Sequence, residues 1–343
     1  MNPDRNDAPQ RDRNDTTRPG RSSATSLVQS SATRPGQSSA TPPAPEGALR
    51  IAVTGARGFV GSAVCRAAAD RGWTVHALTR ADWDLTTGPW PDAPEVDAVV
   101  HAAAAVSDWG PPAPVWRANL TGTRNVVATF PGARLVHIST ASVYDPFRPT
   151  VQAQESEAPV RRYLTPYAAS KAAAERALSH RPDTVILRPH AIYGPGDRTL
   201  LPRILNAVRG NSLWLPGNGK ALQSLTHIHN LTTATLLACT PTTAPGTYNI
   251  ADATPLPIGE ALRTLLAERG THPRLRSIPH PLASAAATTT ETISHLTHRP
   301  HPPRLTRYAI SHLAVERTLN LEAARQGLGF EPAETSFRGA GDW

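Results

Sequence analysis

The chain has 343 residues, 35 of them basic and 27 acidic, for a net charge of +8; the arginines are scattered without interleaved aromatics, which argues against a nucleic-acid partner. Cys65 and Cys239 lie far apart with no Cys-x-x-Cys spacing, so neither a disulfide framework nor a zinc site is expected, and no apolar run is long enough for a membrane span. Residues 1–47 contain no Trp, Phe, Tyr, Ile or Cys and cannot bury enough apolar surface to repay ordering, which predicts a disordered tail. Its acids begin at Asp4 and it has no apolar core, unlike a secretory signal, so a reducing cytoplasm is the expected location.

From Leu49 onward, short apolar runs alternate with alanine-rich stretches. The runs at 49–53, 74–79, 98–101, 134–139 and 184–188 read as buried strands, and 60–71, 115–130 and 167–180 as helices. Strand, helix, strand in repetition predicts an α/β fold with a parallel, doubly wound sheet. After Gly194 the rhythm loosens. Residues 202–209 and 258–269 look helical and 248–250 look like a strand, while 272–303 are rich in Pro, His and Thr and read as irregular. The expected organisation is a tail (1–47), a dinucleotide-binding domain (48–195), and a smaller substrate-binding lobe (196–343) with some segments returning to the first domain.

Thr54-Gly55-Ala56-Arg57-Gly58-Phe59-Val60-Gly61 directly follows a strand and opens a helix. Glycines are needed where the chain turns tightly, where backbone approaches a pyrophosphate, and where helix packs on strand; the helix start offers free N–H groups to phosphate. At the end of the next strand, where an acid usually binds the ribose 2′-hydroxyl of NAD(H), this chain has Thr79-Arg80. With Arg57 in the loop, two guanidiniums suit a 2′-phosphate, so NADP(H) is preferred and NAD(H) possible.

Tyr167-Ala168-Ala169-Ser170-Lys171 places a phenol and an ammonium on one helix face. A phenol with an ordinary pKa near 10 becomes useful in acid–base chemistry when a cation stabilises its phenolate, and Lys171 is spaced to do so. Lysine is scarce here: of the 35 basic residues only Lys171 and Lys220 are lysines.

Together these motifs resemble the extended short-chain dehydrogenase/reductase superfamily, and within it the NAD(P)-dependent epimerase/dehydratase family, with a lean toward its 3β-hydroxysteroid-dehydrogenase-like branch. The resemblance runs from about Leu49 to Pro332 and implies a Rossmann-type sheet. It assigns cofactor contacts to Gly55, Arg57, Gly58, Phe59, Val60 and Gly61, to Arg80, and to Asp84 and Leu85 beside the adenine. Further contacts fall on His101-Ala102-Ala103-Ala104, on Asn119 ahead of Gly122-Thr123, and on Pro189 of Arg188-Pro189. The strand end Ser139-Thr140-Ala141-Ser142-Val143-Tyr144 implies Thr140 as the catalytic hydroxyl. Tyr167 is then the general acid/base, and Lys171 both lowers its pKa and holds the nicotinamide ribose.

Two departures narrow the reaction. Aligning Gly217-Asn218-Gly219 with the turn that precedes a diphosphate-gripping arginine in nucleotide-sugar enzymes puts Gln223 in the arginine's place. Related dehydratases carry Asp-Glu after the threonine, where this chain has Ala141-Ser142. The reading is an oxidoreductase interconverting a small or apolar secondary alcohol and its ketone. The alternatives are a nucleotide-sugar epimerase of the same superfamily and, from another class, a non-catalytic dinucleotide-sensing module. Trp109, Trp116, Trp214 and Phe147 are candidates for an apolar pocket. His227 and His229 alternate as on a strand, and His295, His298 and His301 sit in a proline-rich loop; neither set has metal-ligand spacing, so no metal is expected. The superfamily often pairs the helices carrying Tyr167 and Asn119 between subunits, which makes a homodimer the expected assembly.

Overall fold

The computed structural model describes residues 48–343 except 298, 300 and 304, so the expected tail and His298 lie outside the described residues. The first strand, β1 (Arg50–Thr54), explains the architecture. Side chains alternate across a strand, so Ile51 and Val53 enter one core and Ala52 the other, and an all-apolar run is buried on both faces. In chain order β1 is followed by α1 (Phe59–Asp70), β2 (Thr74–Leu78), β3 (Ala98–His101), α2 (Pro112–Trp116), α3 (Gly122–Thr129), β4 (Arg134–Ile138) and β5 (Thr150–Ala153). Then come α4 (Pro166–Leu178), β6 (Thr184–Pro189), β7 (Ile192–Tyr193), α5 (Leu200–Ala207), β8 (Val208–Arg209), β9 (Ser212–Pro216), β10 (Leu222–Gln223) and β11 (Thr226–His227). The chain ends with α6 (Ile228–Cys239), β12 (Gly246–Ile250), β13 (Leu256–Pro257), α7 (Ile258–Glu268), β14 (Arg274–Ile278), α8 (His280–Leu296), α9 (Arg307–Leu313), β15 (Arg317–Leu319) and α10 (Glu322–Leu328).

The main sheet has six parallel strands in the order β12-β6-β4-β3-β1-β2. Val64 and Ala68 of α1 and Leu231 and Ala234 of α6 pack on one face, with Val126 of α3 and Leu178 of α4 on the other. This is the doubly wound α/β sheet expected, and β12 joins it from late in the chain. The remaining strands form a four-stranded sheet (β13-β10-β15-β5), a pair (β11-β7) and a three-stranded sheet (β14-β9-β8).

Three expectations change. The single helix expected over 115–130 is broken by a π-helical turn, Arg117–Thr121, between α2 and α3. Residues 272–303 are not irregular but supply β14 and the 17-residue α8, so His295 lies in a helix rather than a loop. Prolines mislead there: Pro279 is the N-cap and Pro281 falls in the first turn, where no N–H is needed. Beyond them Thr288, Thr289, Thr290 and Thr292 each fold a hydroxyl onto the carbonyl four residues back. Finally, His227 and His229 do not share a strand, because His227 caps α6 by accepting the His229 N–H at 3.2 Å. Among the described residues no three His, Cys, Asp or Glu gather as for a metal, and no helix is long and apolar enough to cross a membrane.

Candidate active site

Order along the sheet reverses between β1 and β3, so their carboxyl ends open the crevice in which such sheets hold ligands. Gly55 leaves β1 at φ +71°, and a Cβ there would stand 2.8 Å from the Ala103 backbone. A Cβ at Gly61 would overlap the Gly55 carbonyl oxygen, and one at Gly58 would lie 3.1 Å from it. No side chain caps α1, so the N–H groups of Phe59, Val60 and Gly61 face the crevice as a phosphate would require. These residues fit a dinucleotide.

A buried hydrogen-bond chain pins the same crevice. Thr54 and His101 end β1 and β3 as register partners, with Thr54 Oγ1 2.8 Å from His101 Nδ1. His101 Nε2 lies 3.0 Å from Thr123 Oγ1, which donates its one proton to the Asn119 carbonyl at 2.6 Å. Thr123 therefore accepts from His101 Nε2–H, and Nδ1 accepts from Thr54. Burial first, and then the Lys171 charge, lowers the His101 pKa to about 3 and keeps this tautomer neutral. Asn119 sits in the π-helical turn, a feature frequent at functional sites. Its amide bonds Ala105 N at 2.8 Å, Ala105 O at 3.2 Å and Ser170 Oγ at 2.9 Å, tying the β3 end to α4. Ala102 is half-buried against the core, Ala103 donates to Thr54 Oγ1, and Ala104 is exposed.

At the adenosine end the expected residues pair with one another. Arg80 bonds Asp84 at 2.9 Å, and Asp84 also accepts from the Thr86 backbone and hydroxyl. The Thr86 bonds first, and then Arg80, hold the Asp84 carboxyl down to about 2. Leu85 packs beneath Gly122 and accepts from Asn125. Asp82 folds back on Thr79, and Arg57 lies close enough to help lower its pKa, after the two Thr79 bonds.

The residues expected to react gather where β4 ends. Thr140 caps a 3-10 turn (Ala141–Val143), accepting from Ser142 N at 3.1 Å and donating to Ser142 Oγ at 3.2 Å. Tyr167 is in the first turn of α4, a helix started by the Thr165 side chain and Pro166. Burial raises the Tyr167 pKa, the nearby Tyr308 adds to the rise, and a bond with Thr140 opposes it. Lys171 is one turn on but does not bond Tyr167 and is not among the groups that move its pKa, so the expected lowering of the phenol by this cation is not seen. Its Nζ donates to Ile138 O at 2.7 Å and meets His137 Nε2 at 2.9 Å, and burial lowers its pKa to about 7 with Glu175 opposing. Glu175 is bonded to Ser139 and takes Arg188 at 2.7 and 3.1 Å, which locks α4 to β4 and β6; Pro189 ends β6 and is buried.

Sequence reasoning missed Tyr308, His190 and His312. Tyr308 on α9 reaches Ser142 Oγ at 3.1 Å across 166 residues, a contact no local spacing reveals. Ser224 O fixes the proton of His190 on Nδ1, so His312 Nδ1–H donates to His190 Nε2 at 2.9 Å. A cleft of about 230 Å³ opens beside Tyr308 and Thr165, walled by Trp109, His295, Leu164 and Arg307. Trp109 stacks on His295 at 4.2 Å and donates to Arg299 O. Of the other aromatic candidates, Trp116, Trp214 and Phe147 point to solvent. Gln223 is buried, its amide donating to Val315 O.

Comparison with known proteins gives the chain a family. The model of the NAD dependent epimerase/dehydratase family matches residues 51–251. The chain is 33% identical over 315 residues to the 2-alkyl-3-oxoalkanoate reductase of Stenotrophomonas maltophilia, covering 83% of this chain and 95% of that one. It is 32% identical over 317 residues to the 4-hydroxy-2-methyl-3-oxo-4-farnesyl-3,4-dihydroquinoline-1-oxide ketoreductase of Stigmatella aurantiaca, covering 85% and 94%. In fold it is similar to RMD from Pseudomonas aeruginosa complexed with NADPH, with a TM-score of 0.62, 19% identity, and 85% and 97% coverage. The chain belongs to the NAD dependent epimerase/dehydratase family and is an NAD(P)-dependent oxidoreductase that takes a nicotinamide dinucleotide.

Proposed function

We propose that the protein is a ketoreductase that converts an apolar ketone with a 3-oxoacyl pattern to its secondary alcohol. The observation that carries this is a cleft with an indole wall, lined by Thr165 and Pro166 next to Tyr167 on α4 and by Tyr308, which bonds Ser142 beside Thr140. When bound, the reduced nicotinamide supplies the hydride. Burial keeps the Tyr167 phenol protonated at neutral pH, so it stands ready to donate to the ketone oxygen as negative charge develops there. Thr140, its oxygen held by the Ser142 N–H, turns its one proton from Ser142 Oγ to the same ketone oxygen and orients it. Lys171 holds the cofactor ribose in this reading, as the family resemblance implies. The two reductase relatives act on oxo compounds bearing alkyl or farnesyl groups by their names, which supports an apolar substrate. Gln223, spent on Val315, leaves the nucleotide-sugar reading without its diphosphate grip. Screening NADPH and NADH consumption against alkyl 3-oxo acids and esters, aryl ketones, steroids and sugar nucleotides tests the assignment. Turnover is expected in the first group, and turnover confined to sugar nucleotides would overturn it.

The cofactor in this reading is NADP(H). The Arg80–Asp84 pair is exposed and weakly held, so the guanidinium is free to turn to a 2′-phosphate beside Arg57. Arg80→Ala should lower the ratio of NADPH to NADH efficiency by about 10-fold or more; an unchanged ratio rejects the assignment. A cytoplasmic homodimer paired through the helices carrying Tyr167 and Asn119 belongs to the same reading, on the strength of the family resemblance.

A further inference from the structure

His137 lies on β4, fully buried and two residues before Ser139. It is the register partner of His101, with ring centroids 5.2 Å apart. Its Nε2 meets Lys171 Nζ at 2.9 Å, and its Nδ1 has no partner among the described residues. An unpaired buried ring nitrogen carries a desolvation penalty that leucine would escape at this position. What offsets the penalty must come through Nε2, and among the described residues the group there is the amine of Lys171.

An imidazole suits that amine because its proton can change sides. With the proton on Nδ1, Nε2 accepts from an ammonium; with the proton on Nε2, it donates to a free amine. Ile138 O, a carbonyl, can only accept, at 2.7 Å. Together they hold Nζ in one place in either charge state and leave an N–H for the residues expected to react. The other titratable groups that act on Nζ are His101 on β3 and Glu175 on α4, and Glu175 is itself committed to Arg188 and Ser139. We propose that His137 is the positioning residue of Lys171, fixing its nitrogen for catalysis through Nε2 alone. This rests on the catalytic reading of Lys171 given above.

Glutamine and asparagine separate this role from a structural one. The amide of Gln lies as many bonds from Cβ as Nε2 does, and it can accept or donate; the amide of Asn reaches only to where Nδ1 lies. In the full-length protein, His137→Gln should keep kcat within about threefold of wild type. His137→Asn should lose about 10- to 100-fold in kcat, the cost of a misplaced group, with the ketone KM changed by less than about threefold. Should the Asn variant fail to fold, His137→Leu takes its place with the same expected loss. Equal kcat for the Gln and Asn (or Leu) variants, alongside an active wild type, would overturn the role of His137 while leaving the function standing. No turnover by wild type itself would overturn the reading of Lys171, and this inference with it.

Discussion

Tyr167→Phe should lower kcat for ketone reduction by about 100- to 10,000-fold while leaving the cofactor Kd within about twofold. The ring packs the same way without its hydroxyl, so the fold and the glycine-loop crevice remain. What is lost is the proton delivered to the ketone oxygen. No other phenol replaces it: Tyr308 is committed to Ser142 at 3.1 Å, and Tyr144 donates to Asn249 with burial pushing its pKa to about 12. Steady-state kinetics with a cofactor-binding titration checks this. A variant that retains full turnover would remove Tyr167 as the acid.

Mild acid should destabilise the apo protein well before its carboxylates titrate. His101, His137, His190 and His312 are buried and neutral, and burial is the first cause lowering each. In the unfolded chain these imidazoles bind protons below about pH 6.5. From pH 6.5 down toward the folded pKa values, about 3 for His101 and about 4 for His190, the unfolded state therefore holds more protons and stability falls with pH. Between pH 7.5 and 5.5 each contributes a loss of about 1.3 kcal/mol, or about 5 kcal/mol if they act independently. That is comparable to the whole stability of many domains. Lys171 acts in the same sense at higher pH: burial lowers it to about 7 from 10.5, so stability from this group rises between those values. Denaturant unfolding across pH 5–8 checks the acid limb; a flat stability from 7.5 to 5.5 would contradict it.

The legible parts of this molecule are those set by neighbours in sequence. Ile51, Ala52 and Val53 announce a strand buried on both faces, and Gly55, Gly58 and Gly61 announce a turn no Cβ can enter. Tyr167 and Lys171 follow from local spacing and Thr140 from the family resemblance, and all three fall around the end of β4 and the start of α4. Pairings made across the chain were invisible. Ser142 meets Tyr308 only because α9 follows a helix that prolines and threonines disguise as loop. The Lys171 contact with His137 could not be anticipated either, because a histidine within a buried strand carries no motif. Arg80 and Asp84 were each legible, but their mutual bond was not, though they stand four residues apart.

In the proposed reaction hydride reaches a ketone carbon as Tyr167 protonates its oxygen. Incubating the protein with an alkyl 3-oxo ester and NADPH deuterated at C4 of the nicotinamide tests it most directly. The prediction is one deuterium at the new carbinol carbon, delivered about 100-fold or more slowly by Tyr167→Phe than by wild type. Cofactor that binds but never gives up deuterium to any ketone would contradict this reaction.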